Sequence, residues 1–409
     1  MYKLSQSILF FLVSVLLAAC GSSDSKNPLS NHQSGKLISA KQLASFSNTQ
    51  IQVPEVDIKY PVKVYRLVYE TKGVDGEFLN ASGLLTIPQK SAQAKSPMMI
   101  YQHGVIYNNK AAPTENITID SIGVLPGFIG FIVAAPDYIG YGESLGVMHP
   151  FSNAKVTAST SVDLLRAAKK FLKANNIATN NQLFLGGYSQ GGGATLAVQR
   201  KIENELSDEF TVTASSAGAG AYNLSKDLID TATQVLQNFE EFIVVRPSNI
   251  GLILKAMDDG YDLDLLDKIF QPEYAAIIER IYDGSHFPAF IDRELTHQGS
   301  ELFNKAFLQR LINGEEQALV NAFKDNDILD WAPKAPTRLY HGRDDGWVKF
   351  DHAQTAYDTL TAKGATQLEL VECVVNNGQG QSLPTNHANC FNPYLTFSYQ
   401  FFLQFANDL

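Results

Sequence analysis

Gly187-Tyr188-Ser189-Gln190-Gly191 is the stretch from which the rest of this chain is read. It is a Gly-x-Ser-x-Gly sequence between the apolar run Leu183-Phe184-Leu185-Gly186 and the small-residue run Gly192 to Val198. The first run has strand character and the second reads as a tightly packed helix start. The serine therefore falls on a sharp strand-to-helix turn, whose strained backbone lifts the hydroxyl clear of the sheet. Glycines two residues to either side are required because the turning strand and helix leave no room for a Cβ. The pentapeptide alone recurs by chance in unrelated chains; its placement gives it weight.

Outward from this turn, strand-like and helical stretches alternate. Lys63 to Tyr69 and Glu77 to Ile87 are β-rich and flank Gly73-Val74-Asp75-Gly76, a hairpin signal. Met98 to Tyr101 and Phe131 to Ala135 are short apolar strands, ending at His103-Gly104 and Pro136-Asp137. Val162, Leu165, Ala168 and Leu172 recur at helical spacing. The helix after the serine runs to about Glu205, and the strand Thr211 to Ala214 follows. Later strands are Thr337 to Tyr340 and Leu368 to Val371, with a helix from about Phe350 to Lys363 between them. The pattern predicts an α/β fold: a mainly parallel central sheet, helices on both faces, and an antiparallel hairpin leading in.

Leu224 to Asp330 interrupts the alternation. It reads as helices, and it holds about twenty Asp and Glu against about nine Lys and Arg, so the net charge of −10 is concentrated in it. We read 224–330 as an inserted helical cap on a core formed by 51–223 and 331–409. Phe239, Phe242, Phe270, Phe287, Phe290 and Phe307 are expected to divide between the cap's own core and an acyl pocket over the serine. The acidity argues against nucleic acid and anionic lipid headgroups as partners of this lobe.

A serine hydroxyl is a poor nucleophile at neutral pH and needs a base, with a carboxylate to fix that base's tautomer. With the nucleophile on this kind of turn the chain order is serine, acid, histidine. His341-Gly342-Arg343-Asp344-Asp345-Gly346-Trp347-Val348, directly after a strand, matches a His-Gly-x-x-Asp-x-x-Val pattern whose spacing selects Asp345. Asp344 is the alternative, read as a solvent-facing turn residue. Only His352 and His387 lie downstream of the acid. His352 follows too closely to reach back across the sheet top, so His387, in a loop before the final helix, is the expected base. Donors for the oxyanion are expected in the backbone N–H groups of Gln190, at the helix start, and Val105, after Gln102-His103-Gly104. His103 reads as a brace for that loop.

These residues together resemble the α/β-hydrolase superfamily. Asp137-Tyr138-Ile139-Gly140-Tyr141-Gly142-Glu143-Ser144 adds to the match, since it looks like that superfamily's Asp-x-x-Gly-x-Gly-x-Ser loop. The resemblance runs from about Val62 to the end, with 224–330 as the variable cap, and is nearest to secreted bacterial esterases and lipases and to the secretory lipase family. It implies a serine esterase or lipase forming an acyl-enzyme on a small-molecule ester, lipophilic ones included. No metal or organic cofactor is implied. A peptidase on the same scaffold and a non-catalytic binding lipoprotein are the alternatives.

The N-terminus reads as a targeting segment. Lys3 precedes the apolar run Ile8 to Ala19, and Leu17-Ala18-Ala19-Cys20-Gly21 resembles a bacterial lipobox, which implies cleavage after residue 19 and acylation of Cys20. Residues 20–50, rich in Ser, Asn, Lys and Gln, read as a flexible tether. By family analogy the protein is expected to be lipid-anchored in the bacterial cell envelope, at the outer membrane. With Cys20 assigned to lipid, only Cys373 and Cys390 remain, and in an oxidising compartment they are expected to pair; two buried thiols are the alternative.

Overall fold

The computed structural model describes residues 32–52, 57–377 and 380–409. The leader 1–19, the lipidation candidate Cys20 and the following segment to residue 31 lie outside them. Among the described residues, nine strands are β1 (Leu37–Phe46), β2 (Val62–Lys72), β3 (Phe78–Pro88), β4 (Lys95–Gln102), β5 (Ile132–Pro136), β6 (Ala178–Tyr188), β7 (Val212–Gly218), β8 (Thr337–His341) and β9 (Leu368–Glu372). They form one sheet in the order β1-β2-β3-β5-β4-β6-β7-β8-β9. β1 to β3 and the β3–β5 contact are antiparallel, while β5, β4 and β6 to β9 run parallel.

The middle stretches 98–101, 132–135 and 183–185 of the central strands are apolar because both faces are covered. Their side chains alternate between two separate cores. Ile100 and Leu185 join one core with Leu165 of helix α1 (Ala154–Ala174), Leu196 of α2 (Gln190–Glu205) and Ala356 of a helix described below. Met99 and Phe184 point the other way and pack on Phe401 and Phe402 of the C-terminal helix. α1 starts where the Asn153 side chain accepts the Val156 N–H at 3.0 Å, replacing one of the bonds a helix start lacks.

Between β7 and β8 come α3 (Leu224–Gln237), α4 (Pro247–Tyr261), α5 (Leu266–Ile269), α6 (Pro272–Ile281), α7 (Pro288–Glu294), α8 (Gly299–Leu302), α9 (Lys305–Ile312) and α10 (Gln317–Lys324). They enclose a core of their own that includes Phe239, Phe270 and Phe307. Burying side chains of this size contributes about 1.5–3 kcal/mol each. α11 (Asp351–Ala362) and α12 (Phe391–Leu403) complete the chain. No helix among the described residues is long and apolar enough to cross a membrane.

Two expectations are corrected. Residues 37–46, read as part of a flexible tether, form β1, paired with β2 from Leu37↔Tyr69 to Phe46↔Val62. Its side chains are exposed or half-buried, so its polar composition is that of a sheet edge. The six phenylalanines of the insert do not line the cavities at Ser189. Phe270 and Phe307 are sealed in the cap core and Phe287 is 56 % exposed, while Leu224, Ile250 and Ile253 face the smaller cavity in their place.

Candidate active site

β6 ends at Tyr188 and α2 begins at Gln190, leaving Ser189 alone on the turn with φ 61° and ψ −124°. A non-glycine residue held there stores about 1–3 kcal/mol of strain. The turn is fixed by its backbone bonds: the Ser189 N–H donates to the Gly218 carbonyl at 2.8 Å, and the Ser189 carbonyl accepts the Gly192 N–H at 2.9 Å. A Cβ on Gly187 would lie 2.4 Å from the Gly191 carbonyl oxygen, and one on Gly191 would lie 2.0 Å from the Gln102 oxygen. Only glycine fits at either position.

Asp345 sits on the loop after β8, its side chain sealed from solvent. Its Oδ1 accepts the backbone N–H groups of Trp347 at 2.9 Å and Val348 at 3.0 Å. Its Oδ2 lies 2.6 Å from His387 Nδ1 and 3.3 Å from His341 Nε2. Burial works to raise its pKa. The bonds from His341 and His387, the charge of His387 and the Val348 N–H outweigh that, and hold the carboxyl well below the usual carboxylate range. Asp344 is exposed and accepts the N–H of Thr385 at 2.8 Å and its hydroxyl at 3.0 Å. It ties the acid loop to the histidine loop.

His387 is buried between two rings, Tyr188 at 5.1 Å and Trp347 at 4.9 Å between centroids. The Tyr188 hydroxyl donates to the His387 carbonyl at 2.8 Å. Cys373 and Cys390 form a disulfide, as expected, which joins the end of β9 to the start of α12 and closes the loop that carries His387. His352 lies apart from this group: its Nδ1 accepts the Tyr222 N–H at 3.4 Å, and its Nε2 stands 3.6 Å from Asp227 Oδ1.

Among the described residues, neither the Val105 nor the Gln190 backbone N–H has a protein acceptor. His103 is held through both ring nitrogens, at 2.7 Å from the Gly104 carbonyl and 3.4 Å from that of Asp137. Asp137, fully buried, accepts the hydroxyls of Ser82 and Thr114, each at 2.6 Å, and so fixes the loop that follows Val105. His149 escaped the sequence reading. Its Nδ1–H donates to the Ile139 carbonyl at 2.7 Å, leaving Nε2 to accept the Gln190 side-chain N–H at 2.8 Å. Burial pushes its pKa down to about 4, so the ring is neutral and orients Gln190. Residues 41 apart in the chain gave no local signal of this contact.

Two cavities meet at Val105, Ser189 and Trp347. The smaller, about 150 Å³, runs under the cap past Gln190, Leu224, Ile250 and Ile253 to Asp227 and His352. The larger, about 620 Å³, is lined by His387, Tyr188 and Arg246 and extends past His103 to Tyr101, Ile122 and Leu84. Ser189 and His387 share the larger cavity without a hydrogen bond between them. No group of three or more His, Cys, Asp or Glu side chains that could hold a metal ion occurs among the described residues.

A serine raised at the C-terminal edge of a parallel sheet by a strand–helix turn marks the α/β-hydrolase fold, and this molecule has that fold. Comparison narrows the class. The sequence model of the secretory lipase family matches residues 108–389, so the chain belongs to that family and is a carboxylic ester hydrolase. Among solved structures, it is similar to the rice cell wall degrading esterase LipA of Xanthomonas oryzae, at 25% identity and a TM-score of 0.76 over 90% of this chain and 97% of that one. A putative hydrolase from Legionella pneumophila superposes with a TM-score of 0.78 at 23% identity, covering 90% and 98%. Lipase A of Candida antarctica in its closed state gives 0.64 at 17% identity, covering 92% and 83%. No curated protein sequence matches.

Proposed function

We propose that this enzyme hydrolyses esters through an acyl-enzyme on Ser189. Ser189 Oγ adds to the ester carbonyl as its proton passes to His387 Nε2; the bond to the alcohol oxygen then breaks and that oxygen takes the proton. Water repeats the sequence on the acyl-serine: His387 takes a proton from it, the hydroxyl adds to the carbonyl, and Ser189 leaves with the proton. Asp345 keeps the His387 proton on Nδ1 and stabilises the imidazolium. The Val105 and Gln190 N–H groups receive the carbonyl oxygen as it gains charge, at roughly 10²–10³ in rate per donor. The observation that carries this reading is the 2.6 Å Asp345–His387 contact, beside a cavity that also exposes a serine on a strained turn. Serine–histidine bonds are commonly loose without substrate and tighten in the complex.

The cavities divide the substrate. His387 must reach the departing oxygen, and it borders only the larger cavity, so the alcohol belongs there. Gln190 borders only the smaller one, which therefore takes the acyl group. A dry cavity of roughly this size holds a benzene-sized group, so short acyl chains, up to about six carbons, fit best. With p-nitrophenyl esters from acetate to laurate, kcat/KM should peak in that range and vanish in Ser189→Ala. A steady rise to laurate would reject the subsite assignment, and wild-type rates in Ser189→Ala would reject the nucleophile.

The same proposal includes export and anchoring at the outer membrane through acyl groups on Cys20. The Cys373–Cys390 disulfide agrees with an oxidising compartment. Cys20→Ala should move the protein to the soluble fraction; retention in the membrane would contradict the anchor.

A further inference from the structure

The larger cavity carries one formal charge. Of the described residues that line it, Arg246 alone is ionic, among neighbours such as Val105, Tyr107, Pro288 and Phe391. Arg246 immediately precedes Pro247, the first residue of α4, so the helix start fixes its backbone. Its guanidinium carbon lies 3.8 Å from the centre of the Trp347 ring, and that ring lies 4.9 Å from the His387 ring. The cation is thus one indole away from the imidazole.

Stacking engages the face of a guanidinium and leaves the in-plane N–H groups, which grip a carboxylate or phosphate two at a time. On the neighbouring core strands and loops Arg338 pairs with Glu369 and Arg343 with Glu372. Among the described residues, Arg246 has no carboxylate in ion-pairing reach and none of its N–H groups has a protein acceptor. The carboxylate of Asp292, on α7, accepts the Ser248 N–H at 2.9 Å. A half-buried cation without a counter-ion is an interaction left unmade, and an anion carried in by the substrate completes it.

We infer that Arg246 selects substrates whose leaving alcohol bears an anionic group, a carboxylate or phosphate about a ring's width from the scissile oxygen. The inference rests on the proposed serine mechanism and its assignment of the alcohol to this cavity. The preferred substrate is then a short-chain acyl ester of an anionic alcohol. A net charge of −10 would by itself disfavour such a substrate, so the preference has to originate in the cavity.

Three acetyl esters test it: 4-acetoxybenzoate, 4-acetoxyphenyl phosphate and the neutral methyl 4-acetoxybenzoate, each kcat/KM divided by the ester's alkaline hydrolysis rate. The wild type should favour at least one anionic ester over the neutral one by about tenfold or more, mainly through KM. The larger ratio names the anion. Arg246→Gln should bring the ratios close to one, and Arg246→Lys should keep part of them, since it retains charge without the planar fork. If Arg246 only held Trp347 against His387, Arg246→Gln would slow all three esters together and leave the ratios as in the wild type. That result, or wild-type ratios near one, overturns the inference alone. No turnover of any of the three by the wild type would overturn the serine mechanism and this inference with it.

Discussion

Two histidine–carboxylate pairs border the cavities at Ser189, and they differ in the ring nitrogen left over. Asp345–His387 joins the loops after β8 and β9; Asp227–His352 joins α3 of the cap to α11 of the core. In the first, Asp345 takes the proton on Nδ1 at 2.6 Å and leaves the Nε2 lone pair, the one the proposed mechanism uses. In the second, the Tyr222 N–H occupies the Nδ1 lone pair, so the ring proton sits on Nε2, 3.6 Å from Asp227. Neither ring nitrogen is then left with a free lone pair. Asp345 is sealed and bonded to two backbone N–H groups, whereas the Asp227 side chain is 40% exposed. On the proposed mechanism the first histidine keeps a free lone pair to act as base, while in the second both ring nitrogens are turned to protein groups, and a single backbone amide makes the difference.

The sharpest way to break this contrast is to remove each imidazole. His387→Ala should lower kcat by about 10⁵–10⁶, and His352→Ala by less than about tenfold. Equal losses would show that the nitrogens are misassigned. Next, Asp345→Asn should cost about 10⁴ in kcat by presenting the wrong tautomer, against less than tenfold for Asp227→Asn. Steady-state kinetics on p-nitrophenyl butyrate reads all four.

The disulfide restrains only the first pair. Replacing both Cys373 and Cys390 by Ser should lower unfolding free energy by about 3 kcal/mol in denaturant titration, by freeing the loop in the unfolded chain. An unchanged stability would contradict that contribution.

A third histidine sharpens the comparison from the other side. His149 uses both ring nitrogens and is sealed, with its folded-state pKa at about 4. The unfolded chain takes up the proton first, so its contribution is fully present above about pH 6.5 and is lost as the pH falls towards 4, by about 3 kcal/mol. Denaturation at pH 7.5 and 4.5 should show this loss in the wild type, and a smaller one in His149→Gln. The same loss in both would place its origin elsewhere.

How much of this was legible in the sequence follows from the range of each interaction. Gly187, Ser189 and Gly191 were readable because strain and crowding act within one turn. Asp345 could be preferred over Asp344 because a strand end and Val348 fix its position within a few residues. β1 was missed because an edge strand buries little, so Ser, Lys and Gln there read as a tether. The Arg246–Trp347 and His149–Gln190 contacts join segments far apart in the chain, and the cap phenylalanines gave no sign of whether they faced the serine or each other. Core chemistry was written locally; the shape of the substrate site was written in contacts between cap and core.

The most direct test is to label the purified protein with a fluorophosphonate and map the modified peptide, following the labelling rate in the wild type, His387→Ala and His352→Ala. The account predicts one adduct, on Ser189, with labelling all but lost in His387→Ala and retained in His352→Ala. An adduct on another residue, or undiminished labelling of Ser189 without His387, would contradict it.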